Sequence, residues 1–356
     1  MKKKYTLKVP LQIQEEYFSL YNSRNEYTFQ LEENIKILNN VFVSTNGNVL
    51  HKFLIPINSG ENLIGKADKN FYFQRWKKTL EQYLVCKYGS SLNLYTCDNT
   101  NCYYTIHTPW FGYFSWITTY LPRLLTAMEK LPDAILIYPE EWDRICYVRE
   151  SLQLFKELKT LKIPVDHHIS IPNFALIPSR KWTSHFDQGM LEKMKTEMYS
   201  LLNIIPTTTP TKKIYISRKK AQRRKISNEI ELEIFLKKYD IKSVCFEDLS
   251  FSEQVTLMSE TKLIIASHGA GLTNINFLQA KSAVIELSPK LDDFNKFRFP
   301  FWRMADLRHL NYYCLFCDKT NYPKEEYEAD IQVDLSELEK LITNLGVMDK
   351  IVPVYF

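Results

Sequence analysis

Glycine is scarce in this chain, which has 9 among its 356 residues. Average usage of ~7% would give about 25. Three of the nine, Gly112, Gly269 and Gly271, lie in the two segments that carry the most specific motifs. Because glycine permits tight turns and close approach of the backbone to a ligand, these segments are predicted to turn sharply or to contact a ligand.

Long apolar runs are absent as well. No stretch of ~18 apolar residues occurs, so the sequence predicts no transmembrane helix. The basic start at residues 1–4 is followed at 5–9 by Tyr-Thr-Leu-Lys-Val, which is not the apolar segment of a signal peptide. The seven cysteines are odd in number and irregularly spaced, which favours free thiols in a reducing compartment. We therefore expect a cytoplasmic protein, and peripheral contact with the inner face of a membrane is compatible with that location.

A strong charge of one sign is also missing. The net charge is +5 and the pI is about 8.6. The densest basic run, at 218–225, contains no aromatic residue on which the bases of a single strand could stack. Nucleic acid is therefore not an expected partner. The run suits a solvated loop that binds phosphate, or a face for anionic lipid.

No metal site is predicted. Cys314 and Cys317 have zinc-like spacing, and Cys97 with Cys102 would complete a set of four. The two residues between Cys314 and Cys317 are apolar, which favours buried thiols over metal ligands. No Asp-x-Asp motif follows a predicted strand.

What the sequence does contain, from about residue 100 onward, is an alternation of helices and short apolar strands. Helices are predicted at 115–130, interrupted or kinked at Pro122, at 144–161, 183–203, 229–238, 252–260, 273–278 and 334–345. Strands are predicted at 134–138, 213–217, 242–246, 263–266 and 283–287. This order predicts an α/β fold with a parallel sheet covered on both faces, and a Rossmann-like half in the second part of the chain.

Two helix starts have the spacing of a capping box. They are Asn228 with Glu231, and Ser250 with Glu253. The buried face of the helix at 229–238 is predicted to consist of Ile230, Ile234 and Phe235. In the first hundred residues the patterns are weaker, with strands predicted at 5–9 and 41–44 and a helix at 71–88.

The most specific motif is the loop that follows the predicted strand 263–266. Ligands in an open parallel sheet bind at the carboxyl ends of strands, beside helix amino ends whose N–H groups suit phosphate. The loop residues are His268, Gly269, Ala270, Gly271, Leu272, Thr273 and Asn274. Its histidine and threonine would add side-chain donors. A tight turn with His268 as a helix cap is the alternative interpretation.

Three charged residues belong to the same predicted edge. Arg218 ends the strand 213–217, and Arg218 with Arg224 would pair well with a diphosphate. Glu286 lies near the end of the strand 283–287, where a carboxylate can accept hydrogen bonds from ribose hydroxyls. A surface ion pair is the alternative for each residue.

Five blocks in order across residues 212–290 resemble glycosyltransferase family 61. They are Ile-Tyr-Ile-Ser-Arg at 214–218, Arg-Lys-Ile-Ser-Asn-Glu at 224–229, Leu-Ser-Phe-Ser-Glu-Gln at 249–254, His-Gly-Ala-Gly-Leu-Thr-Asn at 268–274 and Val-Ile-Glu-Leu at 284–287. Residues 113–116 and 121–125 resemble an upstream block of the family. The resemblance implies a GT-B architecture, in which two Rossmann-like domains face each other across a cleft.

The resemblance also implies an activity. An inverting glycosyltransferase would move a sugar from a nucleotide sugar, most often a UDP-sugar, to a glycan, a lipid-linked acceptor or another hydroxyl, without an obligatory metal. We expect this reaction in bacterial surface polysaccharide synthesis, such as that of a capsule. The expected domains are an N-terminal acceptor-side domain (1–180), a C-terminal nucleotide-sugar-binding domain (181–330), and a terminal helix with its tail (331–356).

Carried over by position, the residues of the 268–274 loop, Arg218, Arg224 and Glu286 become donor-site candidates. Trp116 and Arg123 become acceptor-side candidates. The chain departs from the family where it has Ser115 in place of a common His and Thr119 in place of an acidic residue.

These departures leave the catalytic base unassigned. A base must lie within hydrogen-bond reach of the acceptor hydroxyl, and the weak candidates are His107, Glu140 and Glu141. Two other interpretations stay open, a nucleotide-sugar-binding protein without catalysis and a GT-B-shaped nucleotide-sugar isomerase.

Overall fold

Two large sheets and one two-stranded sheet organise the described part of the chain. The computed structural model describes residues 1–10, 15–31, 34–44, 49–51, 55–57, 94–107, 111–164, 167–179, 184–292, 299–323 and 326–348, with isolated positions from 74 to 85. The predicted helix at 71–88 therefore lies largely outside the described residues.

The chain forms two units that interleave in sequence. The first contains Met1–Lys4 and Thr28–Met190, and the second contains Tyr5–Tyr27 and Leu191–Phe356. The predicted domains follow chain order, whereas residues 5–27 belong to the second unit. The two-stranded sheet pairs β1 (Lys2–Thr6) with β2 (Glu26–Gln30), on either side of helix α1 (Glu15–Asn22).

The first unit contains a mixed eight-stranded sheet. Its strands are β3 (Lys36–Val43), β4 (Val49–His51), β5 (Ile55–Ile57), β6 (Leu94–Thr96), β7 (Tyr103–Tyr104), β8 (Ile135–Pro139), β9 (Thr160–Ile163) and β10 (His168–Leu176). The order is β5-β4-β3-β10-β7-β8-β9, and β6 also pairs with β10. The pairs from β10 to β9 are parallel, and those from β10 to β5 are antiparallel. Helices α2 (Leu121–Lys130) and α3 (Cys146–Gln153) connect its parallel strands.

The second unit contains a six-stranded sheet with helices between its strands. The strands are β11 (Lys212–Ile216), β12 (Lys242–Val244), β13 (Thr261–Ser267), β14 (Ala283–Pro289), β15 (Asn311–Lys319) and β16 (Ile331–Gln332), in the order β12-β11-β13-β14-β15-β16. The helices are α4 (Gln188–Leu201), α5 (Glu229–Lys237), α6 (Phe251–Ser259), α7 (Pro300–Leu307) and α8 (Leu335–Met348). Strands β12 to β15 are parallel and β16 is antiparallel. The predicted α/β fold is confirmed.

Helix α2 begins after an interruption, as the sequence predicts. Trp116–Tyr120 form a π-helical turn directly before it. Pro122 lies in the first turn of α2, and its missing N–H interrupts the regular helical hydrogen bonds next to the π-helical turn. The predicted helix at 144–161, by contrast, is too long. It ends at Gln153, and Thr160–Ile163 form β9, because apolar 3–4 spacing continues past the helix into a turn and an edge strand.

The predicted buried face of α5 is also wrong in part. Ile230 is 75% exposed and Ile234 is 58% exposed, whereas Leu232, Phe235 and Leu236 are buried. Its predicted capping box is absent as well. The Asn228 side chain instead exchanges two hydrogen bonds with the backbone of Val333, at 2.9 and 3.0 Å.

The capping box at α6 is confirmed. The Ser250 hydroxyl accepts a hydrogen bond from the Glu253 N–H at 3.2 Å, and the Glu253 carboxylate accepts one from the Ser250 N–H at 2.8 Å.

Among the described residues, no helix combines the length and the apolar character needed to cross a bilayer.

Helix α5 carries two apolar stripes, an exposed one with Ile230 and Ile234 and a buried one with Leu232 and Leu236. One substitution in each stripe tests the orientation of the helix. Leu232→Ala is expected to lower the free energy of unfolding by about 2–5 kcal/mol, because it leaves a cavity in the core beneath the helix. Ile230→Ala, on the same helix, is expected to change it by less than about 0.5 kcal/mol. Urea denaturation of both variants measures the difference. Equal losses would contradict the observed face.

Candidate functional site

The candidate residues of the second unit lie along the carboxyl edge of its sheet. Strands β11, β13 and β14 are adjacent, with Ile216 opposite Ala266 and Ala266 opposite Glu286. Arg218 therefore emerges two residues beyond β11, and His268 one residue beyond β13. The parallel register brings together side chains that are far apart in the sequence.

The loop after β13 turns into a 3-10 helix, Ala270–Phe277, rather than the predicted α-helix from Thr273. Leu272, Thr273 and Asn274 are buried in it. The Asn274 amide donates to the Gly271 carbonyl at 3.2 Å and to the Gln254 side chain at 3.4 Å. These three side chains therefore shape the loop from the inside. The hydroxyl of Thr273 has no hydrogen-bond partner within the described chain.

Glu229 forms hydrogen bonds that fix the start of the basic loop, residues 218–225. One of its carboxylate oxygens accepts hydrogen bonds from the Tyr215 hydroxyl (2.8 Å), the Ser217 hydroxyl (2.7 Å) and the Arg218 backbone N–H (3.0 Å). Sequence reasoning missed this residue, because the capping spacing directed attention to Glu231. An acidic residue in a first helical turn beside a strand end was the available signal.

Arg218 and Arg224 are half-buried cations that bond to backbone carbonyls. Arg218 donates to the Arg223 carbonyl at 2.9 Å, and Arg224 donates to the His268 carbonyl at 3.2 Å. In the described parts of the chain neither forms an ion pair with a carboxylate, and neither Nε atom has a hydrogen-bond partner. A bound anion would stabilise these two desolvated cations, because it would replace part of their lost hydration.

Electrostatics agree with that geometry. Burial lowers the pKa of Arg218 from its ordinary value. Burial, and next the charge of Arg218, lower the pKa of Arg224 to about 10. Arg224 also has a φ of 58°, a left-handed conformation that is uncommon for residues other than glycine. Backbone strain at this position is compatible with a functional role.

Gly269 lies directly against the Arg218 side chain. A Cβ atom at this position would lie 2.7 Å from Arg218 Nη1, so any larger residue would displace the guanidinium. At Gly271 an added Cβ would lie 3.5 Å from Ile216, which is ordinary van der Waals contact. The loop therefore requires glycine at position 269 if Arg218 is to keep its place.

His268 and Glu286 form a hydrogen-bonded pair. His268 Nδ1 contacts Glu286 Oε1, and the Tyr312 hydroxyl donates to Glu286 Oε2 at 2.6 Å. The Glu286 side chain is 1% exposed and that of His268 is 16% exposed. Phe301 packs edge-on against the histidine ring, with 5.2 Å between centroids. Both Glu286 oxygens are thus engaged by the protein, and the predicted contact with a ribose would need this arrangement to open.

Beneath this pair lies a layer of buried hydroxyl and thiol groups. Burial, followed by the charge of Glu286, raises the pKa of Tyr312 and Cys314 well above their ordinary values. Burial raises the pKa of Tyr21, in α1, in the same way, with the charges of Cys314 and Glu286 as further causes. Each of these groups is therefore neutral and suited to hydrogen bonding with a buried carboxylate.

The Cys-x-x-Cys spacing has a structural explanation. Both residues lie in β15, where an interval of three places side chains on opposite faces of the sheet. Cys314 lies near Tyr21 and Glu286, and Cys317 belongs to the apolar core on the other face. Across the described ranges, no three His, Cys, Asp or Glu side chains cluster closely enough to hold a metal ion.

The acceptor-side candidates of the first unit are buried. Trp116 donates from Nε1 to the Ser151 hydroxyl at 2.9 Å. The Arg123 guanidinium donates to three backbone carbonyls, those of Thr105, Ile106 and Ile177. Both side chains support the core of the first unit and are almost fully buried, and their acceptor-side role stays a prediction.

The three candidate bases are of two kinds. His107 is buried against Trp142, and burial, followed by the charge of Arg123, lowers its pKa to about 3. Neither of its ring nitrogens has a hydrogen-bond partner in the described structure. Glu140 and Glu141 are exposed at the start of a 3-10 helix that follows β8. His107 is enclosed away from solvent, so the base remains unassigned.

The second unit has the α/β architecture in which phosphate-binding loops commonly occur. A parallel sheet presents a glycine-containing loop, two arginines and a histidine–carboxylate pair at its carboxyl edge. The family model described as Glycosyltransferase 61 matches residues 113–285, just under half of the chain. Residues 113–285 are therefore similar to this family of glycosyltransferases, and the match supports glycosyltransferase activity.

The chain is also similar to a named relative. It is 34% identical over 128 residues to the EGF domain-specific O-linked N-acetylglucosamine transferase of Drosophila melanogaster. The match covers 34% of this chain and 24% of the fly protein, so it spans about a quarter of the relative's length. Arg218, Arg224 and the His268 loop lie inside the family match, and Glu286 follows its last residue.

Proposed function

We propose that this chain is an inverting glycosyltransferase whose second unit binds the diphosphate of a nucleotide sugar. The observation that carries the proposal is the pair of half-buried guanidiniums, Arg218 and Arg224, beside the glycine-containing loop and without a carboxylate partner in the described structure. Guanidinium groups bind phosphate oxygens through paired hydrogen bonds. A diphosphate would supply the anionic partner that these two guanidiniums lack in the described structure.

The chemistry requires charge stabilisation on the leaving group. The acceptor hydroxyl attacks the anomeric carbon, the bond to the diphosphate breaks, and the hydroxyl proton passes to a base. Negative charge then develops on the diphosphate, where preformed donors lower the barrier most effectively. The two arginines and the His268 side chain would supply those donors.

The proposals for the donor and for the acceptor differ in how specific they are. A UDP-sugar follows from the family resemblance, and the name of the fly relative makes UDP-N-acetylglucosamine the first donor to test. The acceptor is proposed to be a glycan, a lipid-linked sugar or another hydroxyl. Because the relative is an animal protein that acts on EGF domains, acceptor panels should contain folded EGF domains beside polysaccharide fragments of the bacterial surface type.

Location and architecture also belong to the proposal. Each of the six cysteines that the structure describes is a free thiol, which supports a reducing, cytoplasmic location. Peripheral contact with a membrane, and the GT-B arrangement of two domains across a cleft, remain predictions from the sequence.

Thermal denaturation with UDP, GDP, CMP and TDP tests the proposal. A nucleotide at 100 times its dissociation constant adds about 2.7 kcal/mol to the stability of the native protein. One of the four is expected to stabilise the wild type. Gly269→Ala is expected to remove most of that stabilisation by displacing Arg218, whereas the matched control Gly271→Ala keeps it.

The outcomes separate the interpretations. No stabilisation by any of the four nucleotides would overturn the proposal. Equal stabilisation of the two glycine variants would place the nucleotide away from Arg218.

Product analysis then distinguishes transfer from two alternatives. Isomerisation would convert the nucleotide sugar without an acceptor. Binding without turnover on the whole acceptor panel would identify a non-catalytic protein, the interpretation that Ser115 and Thr119 keep open.

A further inference from the structure

Glu286 is the most completely enclosed carboxylate of the candidate site. It lies in β14, whose register places it between Ala266 of β13 and Cys314 of β15. Its side chain is 1% exposed. An ionised carboxylate in such surroundings is unfavourable unless donors compensate for the lost water, and two do so here, His268 and Tyr312.

The histidine is held at two points by β14. Its backbone N–H donates to the Leu287 carbonyl at 2.8 Å, which extends the β13–β14 pairing by one residue. Its ring contacts Glu286 through Nδ1. Phe301 packs against the ring and restricts its rotation. The position of the imidazole is therefore set by the sheet and not by the loop that follows.

The hydrogen bond at Nδ1 decides what the other ring nitrogen does. When a carboxylate accepts from Nδ1, the proton is held there and Nε2 is directed away from the carboxylate. The backbone carbonyl of the same residue binds Arg224, so the ring and the arginine share one edge.

We propose that Glu286 is a positioning residue, which orients His268 so that Nε2 of the histidine contacts the diphosphate of the nucleotide sugar. Tyr312 keeps the carboxylate in place by binding its second oxygen. This inference rests on the proposed function, and it replaces a direct contact between Glu286 and the ribose with an action through His268.

A double-mutant cycle tests the inference. Nucleotide affinity is measured by calorimetry for the wild type, Glu286→Gln, His268→Ala and the double variant, with whichever of UDP, GDP, CMP and TDP stabilises the wild type. Glu286→Gln is expected to weaken binding about tenfold when His268 is present, the loss of one charged hydrogen bond. When His268 is already alanine, the same change is expected to have less than about a twofold effect, because the partner is gone.

Tyrosine variants provide a test that leaves the Glu286 charge in place. Tyr312→Phe is expected to weaken nucleotide binding about threefold, because the carboxylate loses one of its two donors. Tyr313→Phe removes a hydroxyl from the next residue of the strand, on the opposite face and in the apolar core. It is expected to leave binding unchanged. Steady-state kinetics should show a higher KM for the nucleotide sugar in the Tyr312 variant only.

Each outcome decides something. A tenfold loss for Glu286→Gln in both backgrounds would mean that Glu286 acts independently of His268 and would overturn the inference, as would no loss in either. If no nucleotide binds the wild type, the proposed function and the inference both fall. If the wild type binds and Gly269→Ala does not, the proposed function stands whatever the cycle shows.

Discussion

Replacing Arg218 and Arg224 together with alanine is expected to abolish nucleotide binding and to lower kcat/KM by a factor of about a thousand or more. Each guanidinium would make charge-assisted hydrogen bonds to the diphosphate, and those bonds strengthen as the leaving group gains charge. Calorimetry with the nucleotide and steady-state kinetics with the nucleotide sugar measure the two effects.

The thermal stability of the same variant, measured without nucleotide, should change much less than its nucleotide affinity. Burial lowers the pKa of both arginines, which means that folding disfavours their charged forms. Without nucleotide, the double alanine variant loses the hydrogen bonds to the Arg223 and His268 carbonyls, but it also removes two desolvated charges. Because these effects oppose each other, its melting temperature is expected to stay close to that of the wild type.

Two lysines in the same loop provide the control for charge. Lys219 and Lys220 are exposed, and Lys220 pairs with Asp248. Replacing both with alanine removes the same formal charge and should leave nucleotide affinity within about threefold, because exposed pairs contribute little. An arginine variant that binds nucleotide normally but unfolds early would show that Arg218 and Arg224 are structural residues.

Arg123→Met is expected to lower the free energy of unfolding by about 3–5 kcal/mol. The variant leaves the carbonyls of Thr105, Ile106 and Ile177 without their buried donor. Methionine fills a similar volume, so the loss reports the hydrogen bonds more than a cavity. Urea denaturation measures it.

An exposed arginine of the same unit serves as the comparison. Arg144→Met is expected to change the free energy of unfolding by less than about 0.5 kcal/mol. If Arg123→Met were as stable as this control and instead raised the KM for an acceptor, the acceptor-side role predicted from the sequence would be supported.

Strands β11 to β14 could be predicted from short, largely apolar runs bounded by turn residues, whereas neither β15 nor β16 is among the predicted strands. The face of α5 could not be predicted either. Its sequence carries two apolar stripes, one with Ile230 and Ile234 and one with Leu232 and Leu236, and both have helical spacing. Only the position of the sheet decides between them, and periodicity contains no information about that position.

In the candidate site, too, some features could be predicted from the sequence and others could not. The edge that holds Arg218 and His268 follows from the rule that parallel strands end together. The bonds of Glu286 to Tyr312, and of Arg123 to carbonyls up to 54 residues away, depend on register and tertiary packing. A local pattern identifies such a polar residue but does not show whether it faces a ligand or the core.

Helix α1 has a consequence for the order in which the protein is made. Tyr17 packs on Phe316 with 4.0 Å between centroids, and Tyr21 packs on Phe299 and Trp302, each at 4.8 Å. The helix therefore leaves the ribosome long before the partners against which it packs. At roughly 5–20 residues per second, this helix waits tens of seconds for the strand it covers. A chain begun at residue 191 would carry every donor-site candidate, yet it would expose the aromatic face that Tyr17 and Tyr21 normally cover.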